Sequence, residues 1–152
     1  MQYMLLHSKD SLAFYLDDIT KGCHALAKKN PGCSVQQTLN LMNYHIEQPN
    51  CFFLIGEHRK RCVGFMFAVA VLVETRWVEV LSLWTLPGLG KRVKFEAFDH
   101  LRKWCKDREI TSIMTNITRG VRPHKNAPNG VYAEWLSELG FEEIGKVMRA
   151  KV

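Results

Sequence analysis

The chain has 152 residues, 47% hydrophobic and 11% aromatic, with a net charge of +6. That length suits one domain over residues 1–152, and the apolar content excludes a disordered chain. No apolar run approaches the ~18–20 residues that cross a bilayer, and Met1–Asp10 has no basic segment followed by a long apolar one, so a cytoplasmic protein without membrane contact is expected.

Met1–Leu6 predicts a short strand. Lys9–Lys29 predicts a helix, with Ser8 or Asp10 as N-cap and Leu12, Tyr15, Leu16, Ile19, Cys23 and Leu26 at helical spacing. Asn30-Pro31-Gly32 should stop it. Ser34, with Gln37 three residues on, resembles a capping box for a second helix, Val35–Glu47. Cys51–Gly56 and Cys62–Val73 read as two strands of a hairpin around the polar turn Glu57–Arg61, and Trp77–Leu86 as a third strand. Val93–Arg108 carries Phe95, Phe98, Leu101, Trp104 and Cys105 on one stripe of a helix. Ile110–Ile117 is a strand, Arg119–Pro128 a loop, and Val131–Leu139 a short helix stopped by Gly140. Phe141–Val152 closes as a strand. The order β-α-α-β-β-β-α-β-α-β is of the α/β (α+β) class. The strands at Trp77–Leu86 and Ile110–Ile117 should be parallel neighbours joined by a right-handed crossover, in a sheet made mixed by the hairpin.

The charge is concentrated. Pro87–Asn126 holds ten basic residues against four acids, which accounts for the whole +6. An anionic ligand or an acidic protein partner is the physical expectation. Nucleic acid is not expected, because no RNP, KH or helix-turn-helix signature accompanies the charge. Arg102, Lys103, Lys106 and Asp107 read as a solvated helix face. Lys91, Arg92 and Lys94 differ, since they follow Pro87-Gly88-Leu89-Gly90 at the start of a helix. Unpaired N–H groups at such a position favour phosphate, and glycine permits close backbone approach. The five cysteines form no C-x-x-C pair and read as small buried apolar groups. The six histidines form no H-x-x-x-H pair, so no metal is expected.

Two segments carry a resemblance. Asp99–Ile113 (DHLRKWCKDREITSI) resembles the helix-to-strand segment of the GCN5-related N-acetyltransferase (GNAT) family. Asn129–Val152 is similar to that family's closing signature, with Asn129, Trp135, Leu139, Gly140 and Phe141 falling on it. The resemblance implies a GNAT-like mixed central sheet and transfer of acetyl from acetyl-CoA to an amine, without a metal. It implies that acetyl-pantetheine is held by backbone groups of Leu83, Trp84 and Thr85, and that the pyrophosphate is held by Leu89, Gly90, Lys91, Arg92, Val93 and Lys94, with Asn129 nearby. Two departures stand out. The family's R/Q-x-x-G-x-G/A loop has two registers here: on Leu89–Lys94, where Lys and Arg replace the glycines, or on Gly88 and Gly90, with Thr85 in the Arg/Gln slot. Leu136 occupies the position of a frequent tyrosine, and Tyr132 lies one turn earlier. Glu79 is the candidate base and Tyr132 the candidate acid. The alternative function is a catalytically inactive binding or structural protein of GNAT fold, of the kind found among phage and mobile-element products.

Overall fold

In the computed structural model, which describes residues 1–30, 32–73, 76–116, 131–143 and 147–152, a seven-stranded sheet runs in the order β1-β2-β3-β4-β5-β7-β6. Its strands are β1 (Gln2–Leu5), β2 (Cys51–His58), β3 (Arg61–Leu72), β4 (Arg76–Thr85), β5 (Ser112–Asn116), β6 (Glu142–Glu143) and β7 (Val147–Lys151). Among the described residues only β4 and β5 pair in parallel, across the crossover helix α4 (Gly90–Lys106). The remaining helices are α1 (Lys9–Phe14), α2 (Leu16–Lys29), α3 (Val35–His45) and α5 (Val131–Glu138).

Both faces of the sheet are covered, which follows from the unbroken apolar runs of β2 and β3. In β2, Phe52 and Leu54 join Phe98, Leu101 and Trp104 beneath α4, and Phe53 and Ile55 join Ile19, Cys23 and Met42 beneath α1–α3. Ser8 caps α1 through the amide of Ser11, and Ser34 caps α3 through the amide of Gln37, as the sequence pattern predicts. Cys23, Cys51, Cys62 and Cys105 are buried and Cys33 is half-buried, all as free thiols.

Three boundaries differ from expectation. The first long helix is broken at Tyr15, whose hydroxyl donates to Glu57 on β2; holding that anchor turns the chain out of helical geometry. The crossover helix begins at Gly90 and not at Val93, because a glycine at the first position can take φ +71° before any helical hydrogen bond depends on it. The last strand is two strands, β6 and β7, paired antiparallel.

Two contacts lock α2 to the sheet. Gly22 lies against Phe65 and Trp84, where an added Cβ would come within 2.6 Å of both rings. Asp18 accepts from Arg61 Nε (2.9 Å) and from the Cys62 amide (3.0 Å). The hydrogen bond from Arg61 holds the Asp18 carboxyl below its ordinary range, against the opposing effect of burial. A depressed carboxyl pKa stabilises the fold fully above the unfolded value of about 3.9, and that stabilisation is lost as pH falls toward the folded value. The urea midpoint of the wild type should therefore drop more steeply below about pH 4 than that of Asp18→Asn. Gly22→Ala should cost about 1–3 kcal/mol in urea denaturation, because two rigid rings must shift.

Candidate active site

The parallel pair β4–β5 is short. Its register runs from Trp77↔Ser112 to Val80↔Thr115, while β4 stays paired with β3 as far as Thr85↔Gly64. Strand β5 meanwhile continues beside β7 through Asn116↔Val147. Among the described residues the β4–β5 pairing thus ends at Val80, one residue before β5 itself ends at Asn116.

A bulge marks that point. Phe67 pairs with Ser82 and Ala68 with Val80, so Leu81 is the extra residue on β4. It changes which residues face which layer. Before it, Val78 and Val80 pack beneath α4; after it, Trp84 packs beneath α1–α3. Glu79 stands opposite Val69, which packs on the α1–α3 core, so the half-buried Glu79 and the buried Ser82 face the same layer. The Leu86 amide donates to the Val63 carbonyl (2.8 Å), which sets the phase of the β3–β4 ladder. Alternation then turns the N–H and C=O of Trp84 toward β3, and those of Leu83 and Thr85 away from it.

After Thr85, Pro87–Leu89 turns the chain into α4. Gly88 and Gly90 have φ of +91° and +71°, and among the described residues a Cβ on either would meet nothing within 4 Å. Among the described residues no side chain caps α4, and no acid lies in its first turn, so its leading N–H groups carry partial positive charge without a described side-chain acceptor. The neighbouring cations are mostly engaged. Lys91 bonds Glu138 of α5 (2.9 Å), and Arg92 bonds Glu96 (2.8 Å), which also accepts from the Tyr3 hydroxyl. Lys94 is half-buried, 5.7 Å from the centre of the Trp135 ring. Burial, and secondarily the charge of Lys29, lowers its pKa from the ordinary lysine value. Leu89 is the exposed residue preceding the helix, and Val93 is buried beneath it.

No sequence-family model matches the chain, and no curated protein sequence does. Solved structures do. The aminoglycoside 6'-N-acetyltransferase of Enterococcus faecium superposes with a TM-score of 0.73 at 13% identity, covering 99% of this chain and 97% of that one. GCN5 of Tetrahymena gives 0.69 at 9% identity over 100% and 96%. The PaiA N-acetyltransferase of Thermoplasma acidophilum, in complex with coenzyme A, gives 0.67 at 14% identity over the full length of both chains. The fold is that of the GCN5-related N-acetyltransferases.

Within this GNAT fold, the residues singled out in the sequence separate into groups. Leu83 and Thr85 lie at the end of β4, and Leu89, Gly90, Lys91, Arg92 and Lys94 lie on the turn and first turns of α4 that follow it. Glu79 lies on the α1–α3 face. Asn129 and the loop Arg119–Asn129 lie outside the described residues, and of Tyr132 only the backbone, in α5, is described. Leu136 is fully buried in the core beneath α4. Arg102, expected to be merely solvated, donates to the Leu139 carbonyl and ties α4 to the end of α5. Sequence reading also missed the bulge at Leu81, for which the run VEVLSLW offers only a faint sign, a polar Ser82 out of phase with Glu79.

Gly90→Ala should lower stability by about 1–2 kcal/mol, the cost of a left-handed residue with a Cβ. The space around it is open, so Gly90→Asn should recover part of that loss in the same urea titration.

Proposed function

We propose that this chain is an N-acetyltransferase that moves an acetyl group from acetyl-CoA to an amine. The observation that carries this reading is the bulge at Leu81, where the described β4–β5 pairing ends, shortly before a glycine-flanked helix N-terminus. On this reading β5 departs from β4 after the bulge, the gap so formed takes an extended thioester arm, and the α4 N-terminus takes the pyrophosphate beyond it. The complex of the PaiA neighbour with coenzyme A supports the same reading.

The residues then have distinct tasks. Leu83 and Thr85 bind the arm through their backbone, and the Leu83 N–H is placed to donate to the thioester oxygen as it gains charge. Trp84 contributes by packing, since its backbone belongs to β3. Leu89, Gly90 and Lys91 offer amides to the pyrophosphate, with Arg92 and Lys94 adding charge and Val93 seating the helix; the family resemblance adds Asn129 to this set. Glu79 accepts one proton from the incoming ammonium, directly or through water, and passes it to solvent. The nitrogen bonds to the acetyl carbon and the carbon–sulfur bond breaks. The second proton of the nitrogen ends on the departing thiolate, with Tyr132 as donor.

A second reading is a GNAT-fold binding or structural protein without catalysis. Leu136 favours it: where the family often has an acid, this chain has a core side chain. Calorimetric titration with acetyl-CoA, with dephospho-CoA and ATP as controls, separates the two together with an assay of thiol release. The enzyme reading expects micromolar binding, weakened about tenfold or more in Arg92→Glu by loss of a charged contact. It also expects thiol release that falls about 10²–10⁴-fold in Glu79→Gln with no change in thermal stability. Binding with no release across a broad amine panel, or no binding at millimolar acetyl-CoA, leaves the second reading standing.

A further inference from the structure

Glu96 of α4 lies half-buried one turn beyond Arg92, and it is held from two directions. Its Oε2 accepts from the Tyr3 hydroxyl of β1 (2.6 Å), and its Oε1 accepts from Arg92 Nε (2.8 Å). The bond from Tyr3, and after it the bond from Arg92, lowers the Glu96 pKa from its ordinary value, so the carboxyl is charged at neutral pH. Tyr3 is itself fixed. It pairs with Gly56 of β2, packs against the core beneath α4, and meets the His100 ring at 4.9 Å between centres.

An exposed i,i+4 ion pair contributes little by itself, because both long side chains must be ordered to form it. Here one partner is ordered already, since Tyr3 holds the carboxylate from another element of the fold. The Arg92 side chain is 89% exposed, and an untethered arginine on such a surface spreads over many rotamers. Its bond to Glu96 uses the Nε–H. Among the described residues Arg92 makes no other hydrogen bond, so both Nη groups keep their donors for the two-point grip that arginine makes on phosphate. Restricting the stem while leaving the Nη groups free lowers the entropy cost of binding an anion. By charge alone, a carboxylate so near the start of α4 opposes a phosphate. Charge and positioning therefore act on binding with opposite signs.

We infer that Glu96, anchored by Tyr3, is a positioning residue that presents the Nη groups of Arg92 to the phosphates of the acyl donor. The inference rests on the cofactor site proposed above, where Arg92 supplies charge. It adds to that site two residues that touch no ligand, and it couples the first strand of the chain to affinity at the start of α4.

Calorimetric titration of the full chain with acetyl-CoA, and separately with inorganic pyrophosphate, tests this in Tyr3→Phe, Glu96→Gln, Arg92→Ala and the Tyr3→Phe, Arg92→Ala double variant. Tyr3→Phe removes the hydroxyl and keeps the ring in its packing. It should weaken acetyl-CoA binding about threefold or more when Arg92 is present, and less than about 1.5-fold in the Arg92→Ala background, a coupling of the size that contacting residues show. A purely structural role for Tyr3 would move both backgrounds alike. Glu96→Gln removes a negative charge and should nevertheless weaken binding about twofold or more. Equal weakening by Tyr3→Phe in both backgrounds, no weakening at all, or tighter binding in Glu96→Gln each overturns the inference. The same coupling with pyrophosphate in a protein that binds no acetyl-CoA overturns the acetyltransferase reading and leaves the role of Glu96 in place. Acetyl-CoA binding without the coupling does the reverse, and no binding of either probe overturns both.

Discussion

One extra residue in one strand organises this molecule. Leu81 bulges out of the β3–β4 ladder, and from that point β4 follows β3 while β5 follows β7. The Thr111 amide and the Arg76 carbonyl close the parallel pair at its other end. On the reading proposed above, the β4 edge after the bulge pairs with the extended, amide-bearing arm of the cofactor, because unpaired backbone groups need a partner.

The start of α4 shows how charge and backbone divide the work. The cations there look from the sequence like a set of free phosphate hooks. In the fold, Lys91 and Arg92 are held by carboxylates, and Lys94 lies half-buried against Trp135. Surface ion pairs of this kind contribute little to stability, typically below ~1 kcal/mol. Their effect is positional: they hold long side chains clear of the glycine turn, where a loose lysine would otherwise fold over the helix N-terminus. On the reading proposed above, the backbone then meets the pyrophosphate with little competition.

Much of the architecture was legible in the chain because it depends on periodicity. The apolar runs of β2 and β3, the stripe of α4 and the two serine caps report local spacing, and local spacing is what a sequence displays. The long crossover fixed the parallel pairing for a topological reason. What escaped depends on contacts between distant segments. Tyr15 breaks a helix because Glu57 waits for its hydroxyl, Arg102 has a task because the end of α5 lies beside it, and Glu79 shares a face with Ser82 only because a bulge intervenes. The glycine turn before α4 was legible as a turn, but the partners of its cations were not, since Glu138 is 47 residues from Lys91.

The bond from Tyr3 to Glu96 spans 93 residues, and β1 pairs only with β2, at positions from Leu54 to Glu57. During synthesis, β1 emerges before β2 and can pair with it only once Glu57 has followed, and Tyr3 gains its carboxylate partner only once Glu96 has emerged. Until β1 has docked, the β2 edge it will cover stays bare. Loop closure over such separations slows folding, and a bare edge in a growing sheet invites pairing with other chains. The short length of β1 limits that exposure: four residues offer too little edge to seed a stack, yet suffice to seal the sheet once Glu96 is in place.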